Sequence, residues 1–193
     1  NIAPPPQLNN SIDRMMPMMR FFRHGDGNFA HFNGMGPTLP DIMATILAYD
    51  DARGAPLSNA PHSGYQRIES GELLILMDSG GPPPISVSQE AHAGCLSFEL
   101  SHAQQRIVVN CGLPRTNRET WRQVARATAA HSTVEIDGEN SSEVWAGFRV
   151  ARRAGIAESR VQKYGFIIGD AAHSCFRPTT QATQFVITSV DGE

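Results

Sequence analysis

Lysine is nearly missing from this chain: of its 193 residues, only Lys163 is one. No basic run exists to neutralise a phosphate backbone, and the formal net charge is −3, so nucleic acid is not an expected partner. A phosphate loop is excluded too, because its glycines must lead from a strand into a helix and supply a lysine. Long hydrophobic runs are also lacking. Leu73-Leu74-Ile75-Leu76-Met77 is among the longest and falls far short of a bilayer span. No charged leader with an apolar core opens the sequence, so no signal peptide is read in it. Three cysteines make no disulfide framework, and Cys95 and Cys111 are read as a buried free pair. The Gly-x-Ser-x-Gly elbow and the Cys-x-x-Cys and His-Glu-x-x-His metal signatures are absent.

What is present is strand pattern and turn chemistry. Residues 1–10 are rich in proline and asparagine and read as a linker or surface loop, followed by a short helix near Asp13–Met16 that Pro17 limits. Gly25-Asp26-Gly27 sits between two aromatic arms and predicts a hairpin. Its neighbours His24 and His31 read as solvated turn residues. Asp41 opens a helix with Ile42, Ile46 and Leu47 on one stripe. Tyr65–Glu69 and Glu72–Asp78 read as strands around Ser70-Gly71. Leu96-Ser97-Phe98-Glu99-Leu100 alternates with apolar residues at every second position, and Ile107-Val108-Val109 reads as a strand covered on both faces. Asn117–Arg126 is open between a helical turn and an irregular crossing. His131–Ile136, Val144–Val150, Arg160–Ile168 and Gln184–Thr188 are further strand candidates. The fold expected is mainly β, an antiparallel β-sandwich with one or two short helices near the N-terminus. Residues 19–193 would form the sandwich, with 1–18 a linker or the end of a preceding helical domain. The chain reads as a fragment, truncated at its C-terminus.

Glu90, His92, Asn110 and His131 are the candidate site. In an extended chain Glu90 and His92 project to one side, and His131 faces away from Val134 and Ile136. Two histidines and a carboxylate on adjacent strands suit zinc, with a fourth position left for water or substrate. The alternative is a polar cluster that caps strand ends. Arg122 and Arg126 can meet a sugar carboxylate, or can simply be solvated. Cys95 has His92 three residues away, yet an inert buried thiol is the stronger reading.

Four motifs, in order, resemble the heparinase II/III-like family of polysaccharide lyases over roughly residues 15–140. They are Phe22-Arg23-His24-Gly25-Asp26-Gly27, His92-Ala93-Gly94-Cys95-Leu96-Ser97-Phe98-Glu99-Leu100, Ile107-Val108-Val109-Asn110-Cys111-Gly112 and Ala130-His131-Ser132-Thr133-Val134. The resemblance implies the C-terminal β-sandwich (of the lyase supersandwich type) of a two-part enzyme whose N-terminal part is an α/α toroid. Such enzymes cleave acidic, uronate-containing glycans of the heparin, heparan or alginate kind by β-elimination, and periplasmic or secreted location goes with them. Most catalytic groups, including the key tyrosine, lie on the toroid, so this chain alone is expected to be inactive.

The resemblance also assigns roles by position. Glu90 stands where the family has a catalytic histidine. His92 and His131 match ligands of a structural zinc, and Asn110 stands where the third ligand, an aspartate, is typical. A neutral amide oxygen is a poorer ligand than a carboxylate, so weakened zinc binding is expected. The rival expectation is a non-catalytic glycan-binding or structural β-domain with a degenerate site.

Overall fold

The computed structural model describes residues 4–50, 54–113, 118–135, 137–142, 144–145, 149–150, 158–161, 166–171 and 183–188. Its first element is longer than the sequence suggests. Helix α1 runs Pro6–Phe21, so residues 6–10 are helix rather than the linker or surface loop expected there. Proline at the first helical position costs nothing, since that N–H has no partner in any helix. Pro17 lies inside the helix and removes one internal hydrogen bond. Anchorage comes from the far end, where the Phe21 ring is fully buried, a gain of about 1.5–3 kcal/mol.

The predicted first hairpin is present. Arg23 and Phe29 bridge antiparallel, and the Ala30 N–H donates to the Phe22 carbonyl at 2.9 Å. Helix α2, Pro40–Ala48, half-buries Ile46 and Leu47 as expected, but turns Met43 inward in place of Ile42, which is 53 % exposed.

The main sheet is antiparallel, in the order β1 (Asn59–Ala60), β2 (Tyr65–Ser70), β3 (Leu73–Asp78), β4 (Phe98–His102) and β5 (Gln105–Val108). On one face Leu74 and Leu76 pack with Phe21, Ala30, Phe32 and Ala60. Phe22 stands edge-on to Tyr65 at 4.9 Å beside that core. On the other face Ile68, Ile75, Leu100 and Val108 form one half-buried cross-strand row. A row of this kind is what a second layer packs on in a sandwich.

Two expectations about β4 and β5 are overturned. The alternation in Leu96–Leu100 predicts the apolar residues facing the core, yet Glu99 and Ser101 are the buried pair. Leu96, at φ 61°, belongs to the turn before the strand, so the strand starts at Phe98. Among the described residues β5 is the sheet's edge, with Ile107 60 % exposed and Val109 49 % exposed, so it is not covered on both faces.

Asn117–Arg126 resolves as helix α3, Glu119–Arg126, where described. His131–Ile136 is not a strand: residues 131–135 are bends and irregular chain after a 3₁₀ turn at Thr128–Ala130. Val144–Val150 is split into β6 (Val144–Trp145) paired with β7 (Arg149–Val150). Likewise Arg160–Ile168 falls in two strands, β8 (Glu158–Val161) and β9 (Phe166–Ala171), with β10 (Thr183–Thr188) on the other side of β9. All pairing is antiparallel, and the fold is the mainly β sandwich class expected. Among the described residues no helix is long and apolar enough to cross a membrane.

Candidate functional site

The β3–β4 connection, residues 79–97, carries the site. Pro82-Pro83-Pro84 gives it no ladder donors, so it stands off the sheet as a wall. Its far half is held by α3 and the turn that follows. Arg126 is buried, donating from Nε to the Ala91 carbonyl at 2.8 Å and from Nη2 to Ser88 at 3.4 Å. The Ala93 carbonyl accepts from the hydroxyls of Thr128 at 2.7 Å and Ser141 at 2.9 Å. Arg126 is thus spent on the loop's own backbone.

That clamp sets His92. Its N–H donates to Asn33 Oδ1 at 3.0 Å, and its Nδ1 lies 3.1 Å from His131 Nε2. Both rings are held neutral. Burial, helped by His131 and Arg126, takes His92 down to about 3, and burial takes His131 down to about 4. Gly94 makes the approach feasible, since a Cβ there would lie 2.4 Å from His131 Cδ2.

Asn110 closes the group from the end of β5. Its Oδ1 accepts from the Ser132 N–H at 3.2 Å, and its own N–H donates to Glu99 Oε1 at 3.2 Å, while the Ser132 hydroxyl donates to the Phe98 carbonyl. His92 and His131 are therefore in direct contact, and Asn110 joins them through Ser132. Glu90 is apart from them. The chain at Glu90 is a turn rather than a strand, and Glu90 is exposed while His92 is buried. The Glu90 carboxylate takes Arg122 Nη2 at 2.9 and 3.1 Å.

Three residues without any sequence signal of their own join His92 on the floor of a cleft of about 570 Å³ walled by Pro82–Pro84 and rimmed by Glu90 and His62. Asn33 Nδ2 donates to the Tyr65 hydroxyl at 2.6 Å and to Asp78 Oδ2 at 3.3 Å, and the Gly80 N–H reaches Asp78 Oδ1 at 3.3 Å. Burial outweighs these bonds and raises Asp78 to about 7, where a carboxyl can exchange protons near neutrality. Burial, with Asp78 beside it, also raises the Tyr65 phenol. Tyr65 and Asp78 are register partners across the β2–β3 hairpin, so its turn at Ser70-Gly71 could have placed them together.

A second missed group lies under β4. His24 is not a solvated turn residue: its Nδ1 is 2.7 Å from Ser101 Oγ and its Nε2 3.1 Å from Glu99 Oε2. Glu99 also accepts from the His31 N–H at 2.7 Å and Arg106 Nη1 at 3.2 Å. Cys95 is buried whereas Cys111 is exposed, so the two do not form a buried pair.

Zinc can be tested against these donors. Tetrahedral zinc at about 2.0–2.1 Å from each nitrogen puts two ring nitrogens roughly 3.4 Å apart, near the separation of the histidine pair. The third donor fails. Asn110 Oδ1 is occupied by Ser132, so the free edge of the amide is Nδ2, a donor. Among the described residues no group of three or more His, Cys, Asp or Glu side chains can hold a metal. The donor set does not fit zinc.

Comparison with known proteins places this geometry. The model of the family "Heparinase II/III-like, C-terminal" matches residues 52–193. The FtsZ-localized protein C of Caulobacter vibrioides is 34 % identical over 145 residues, which cover 75 % of this chain and 25 % of that protein. A heparinase III gene product aligns with TM-score 0.60 at 13 % identity, over 88 % of this chain and 29 % of its own. The heparan sulfate lyase HepC of Pedobacter heparinus gives 0.60 at 15 % identity, with the same shares of 88 % and 29 %. The chain therefore spans between a quarter and a third of the proteins it matches.

Proposed function

Because the chain belongs to the heparinase II/III-like C-terminal family, we propose that it is one wall of a glycan cleft in a longer polysaccharide lyase-like protein. The other wall would be an α/α toroid in the same chain, and the substrate an acidic, uronate-containing glycan cleaved by β-elimination. The observation that carries this reading is the cleft floor, where Asn33, Tyr65, Asp78 and His92 converge from a loop, β2, β3 and the β3–β4 connection. A concave site with a few converging polar groups is the usual form of a small-ligand or sugar-binding site. In the elimination, a base removes the proton beside the carboxylate and an acid protonates the leaving oxygen. Asp78, raised to about 7, suits proton exchange at neutral pH, and the neutral pair of His92 and His131 supports the loop above it.

The test uses the full-length protein with heparin, heparan sulfate and alginate, followed by the ultraviolet absorbance of the unsaturated uronate product. Product from at least one polymer, reduced by Asp78→Asn, is expected. No product from any of the three sinks the reading.

A second reading has its own support. Glu90 stands at the family's histidine position and is engaged by Arg122, and a 34 % identical relative is named for its localisation with FtsZ. On this reading the domain is non-catalytic and serves an FtsZ-localized protein as a glycan-binding or structural module. It predicts no product from any uronate polymer, together with co-localisation of the tagged full-length protein with FtsZ.

A further inference from the structure

We propose that His92, His131 and Asn110 form a metal-free latch, in which the Asn110 amide presents a donor where zinc would need an acceptor. Ser132 decides the orientation. Its backbone N–H donates to Asn110 Oδ1 at 3.2 Å, and turning the amide over would set that N–H against the NH₂ group, while the one hydroxyl proton of Ser132 goes to the Phe98 carbonyl. The NH₂ group is thereby fixed on the opposite edge. It is buried and has no hydrogen-bond partner among the described residues. A donor is thus left over beside a histidine pair 3.1 Å apart, which one shared proton can bridge.

Charge argues the same way. Two neutral imidazoles and an amide leave a divalent ion uncompensated in a buried place. The nearby carboxylates are engaged elsewhere: Glu90 with Arg122, Asp78 with Asn33 and the Gly80 N–H, and Glu99 with His24, Arg106 and two backbone N–H groups. The rings themselves are well placed, because Gly94 lets His131 sit where any Cβ would push it away. Only the third ligand is lacking. Asn110→Asp would keep Oδ1 on Ser132 and turn the other edge into an anionic oxygen, completing a set of two histidines and one carboxylate with a fourth position for water.

The experiment is metal analysis of the full-length protein after exposure to zinc and desalting, with thermal unfolding in zinc and in chelator. Wild type should retain no more zinc than His92→Ala, and its Tm should be unmoved by zinc. Asn110→Asp should retain about one further equivalent, lost in the double variant with His131→Ala, and its Tm should rise with zinc. Wild type holding about one equivalent that His92→Ala loses would overturn the latch. A folded Asn110→Asp variant that gains no zinc would overturn it as well. Should that variant not fold, the wild-type comparison with His92→Ala decides alone.

Discussion

Glu99 is a charge placed where the β4 pattern asks for a hydrophobe. It has no exposure, and it is satisfied by Arg106, His24 and the N–H groups of His31 and Asn110. Burial alone would raise this carboxyl, but the bonds from His24, His31 and Asn110 together bring it below its ordinary value of 4.5. Removing a buried partner strands the others, so Glu99→Ala should cost about 3–5 kcal/mol in urea unfolding. A loss under about 1 kcal/mol would mean that the network is ornamental. The sign follows from the depressed value: this stability is present above about 4.5 and is lost as pH falls through the folded value. The same residue shows what the sequence hides. Alternation reports which positions share a face, but not which face is inside. In Leu96–Leu100 the usual inference assigns the apolar set inward, and a buried hydrogen bond with His24, 75 residues away, reverses it. His92, His131 and Asn110 were legible because the family resemblance names their positions. Asn33 was not, because it reaches the site through a loop contact with no spacing rule, and although the Ser70-Gly71 turn pairs Tyr65 with Asp78, nothing in the sequence marked that pair as part of a site.

At the scale of elements, the hairpins were readable wherever a glycine turn marked them, and the long connections were not. Gly25 shows why such a turn tolerates little change, since a Cβ there would lie 2.0 Å from the Ala103 carbonyl oxygen. The atom it would meet is backbone, so neither turn can yield cheaply. Gly25→Ala should cost on the order of 1–3 kcal/mol in thermal or urea unfolding, the range of an overpacked site. The loop over the cleft depends on α3 in a different manner. Arg126 reaches the Ala91 and Ser88 carbonyls with two separate guanidinium nitrogens, a fork that lysine cannot reproduce. Arg126→Lys should therefore free the 79–97 connection without unfolding the sheet. Limited proteolysis would then cut that segment faster, while hydrogen exchange in β2 and β3 stays at the wild-type rate. Equal proteolysis of the two proteins would show that α3 is not what holds the loop. Sequence reading placed Arg126 beside a sugar carboxylate because a lone arginine before a histidine carries no mark of burial.

At the scale of the molecule, the cleft and its histidine pair set how stability responds to pH. Three buried groups titrate differently in the folded and unfolded chain. His92 and His131, held at about 3 and about 4 against an ordinary 6.5, contribute stability above 6.5 that is lost as pH falls towards their folded values. Asp78, at about 7 against an ordinary 3.8, works in the opposite sense: its contribution is full below 3.8 and lost as pH rises to about 7. Around pH 5 the unfolded chain thus carries about two extra protons on the imidazoles, and the folded chain about one on Asp78. The difference is about one proton, so wild-type stability should rise with pH by roughly 1.4 kcal/mol per unit there. Asp26 and Glu99, both depressed, act mainly below about 4.5 and leave this window alone. Asp78→Asn removes the opposing carboxyl, so its profile around pH 5 should be about twice as steep as that of wild type. Urea unfolding of both proteins between pH 4.5 and 6.5 measures the two slopes directly. Parallel profiles would mean that Asp78 ionises in the folded chain as it does in water, and the cleft floor would then hold a full negative charge at neutral pH. That outcome would also remove the reason for giving Asp78 a proton-exchanging role in the cleft.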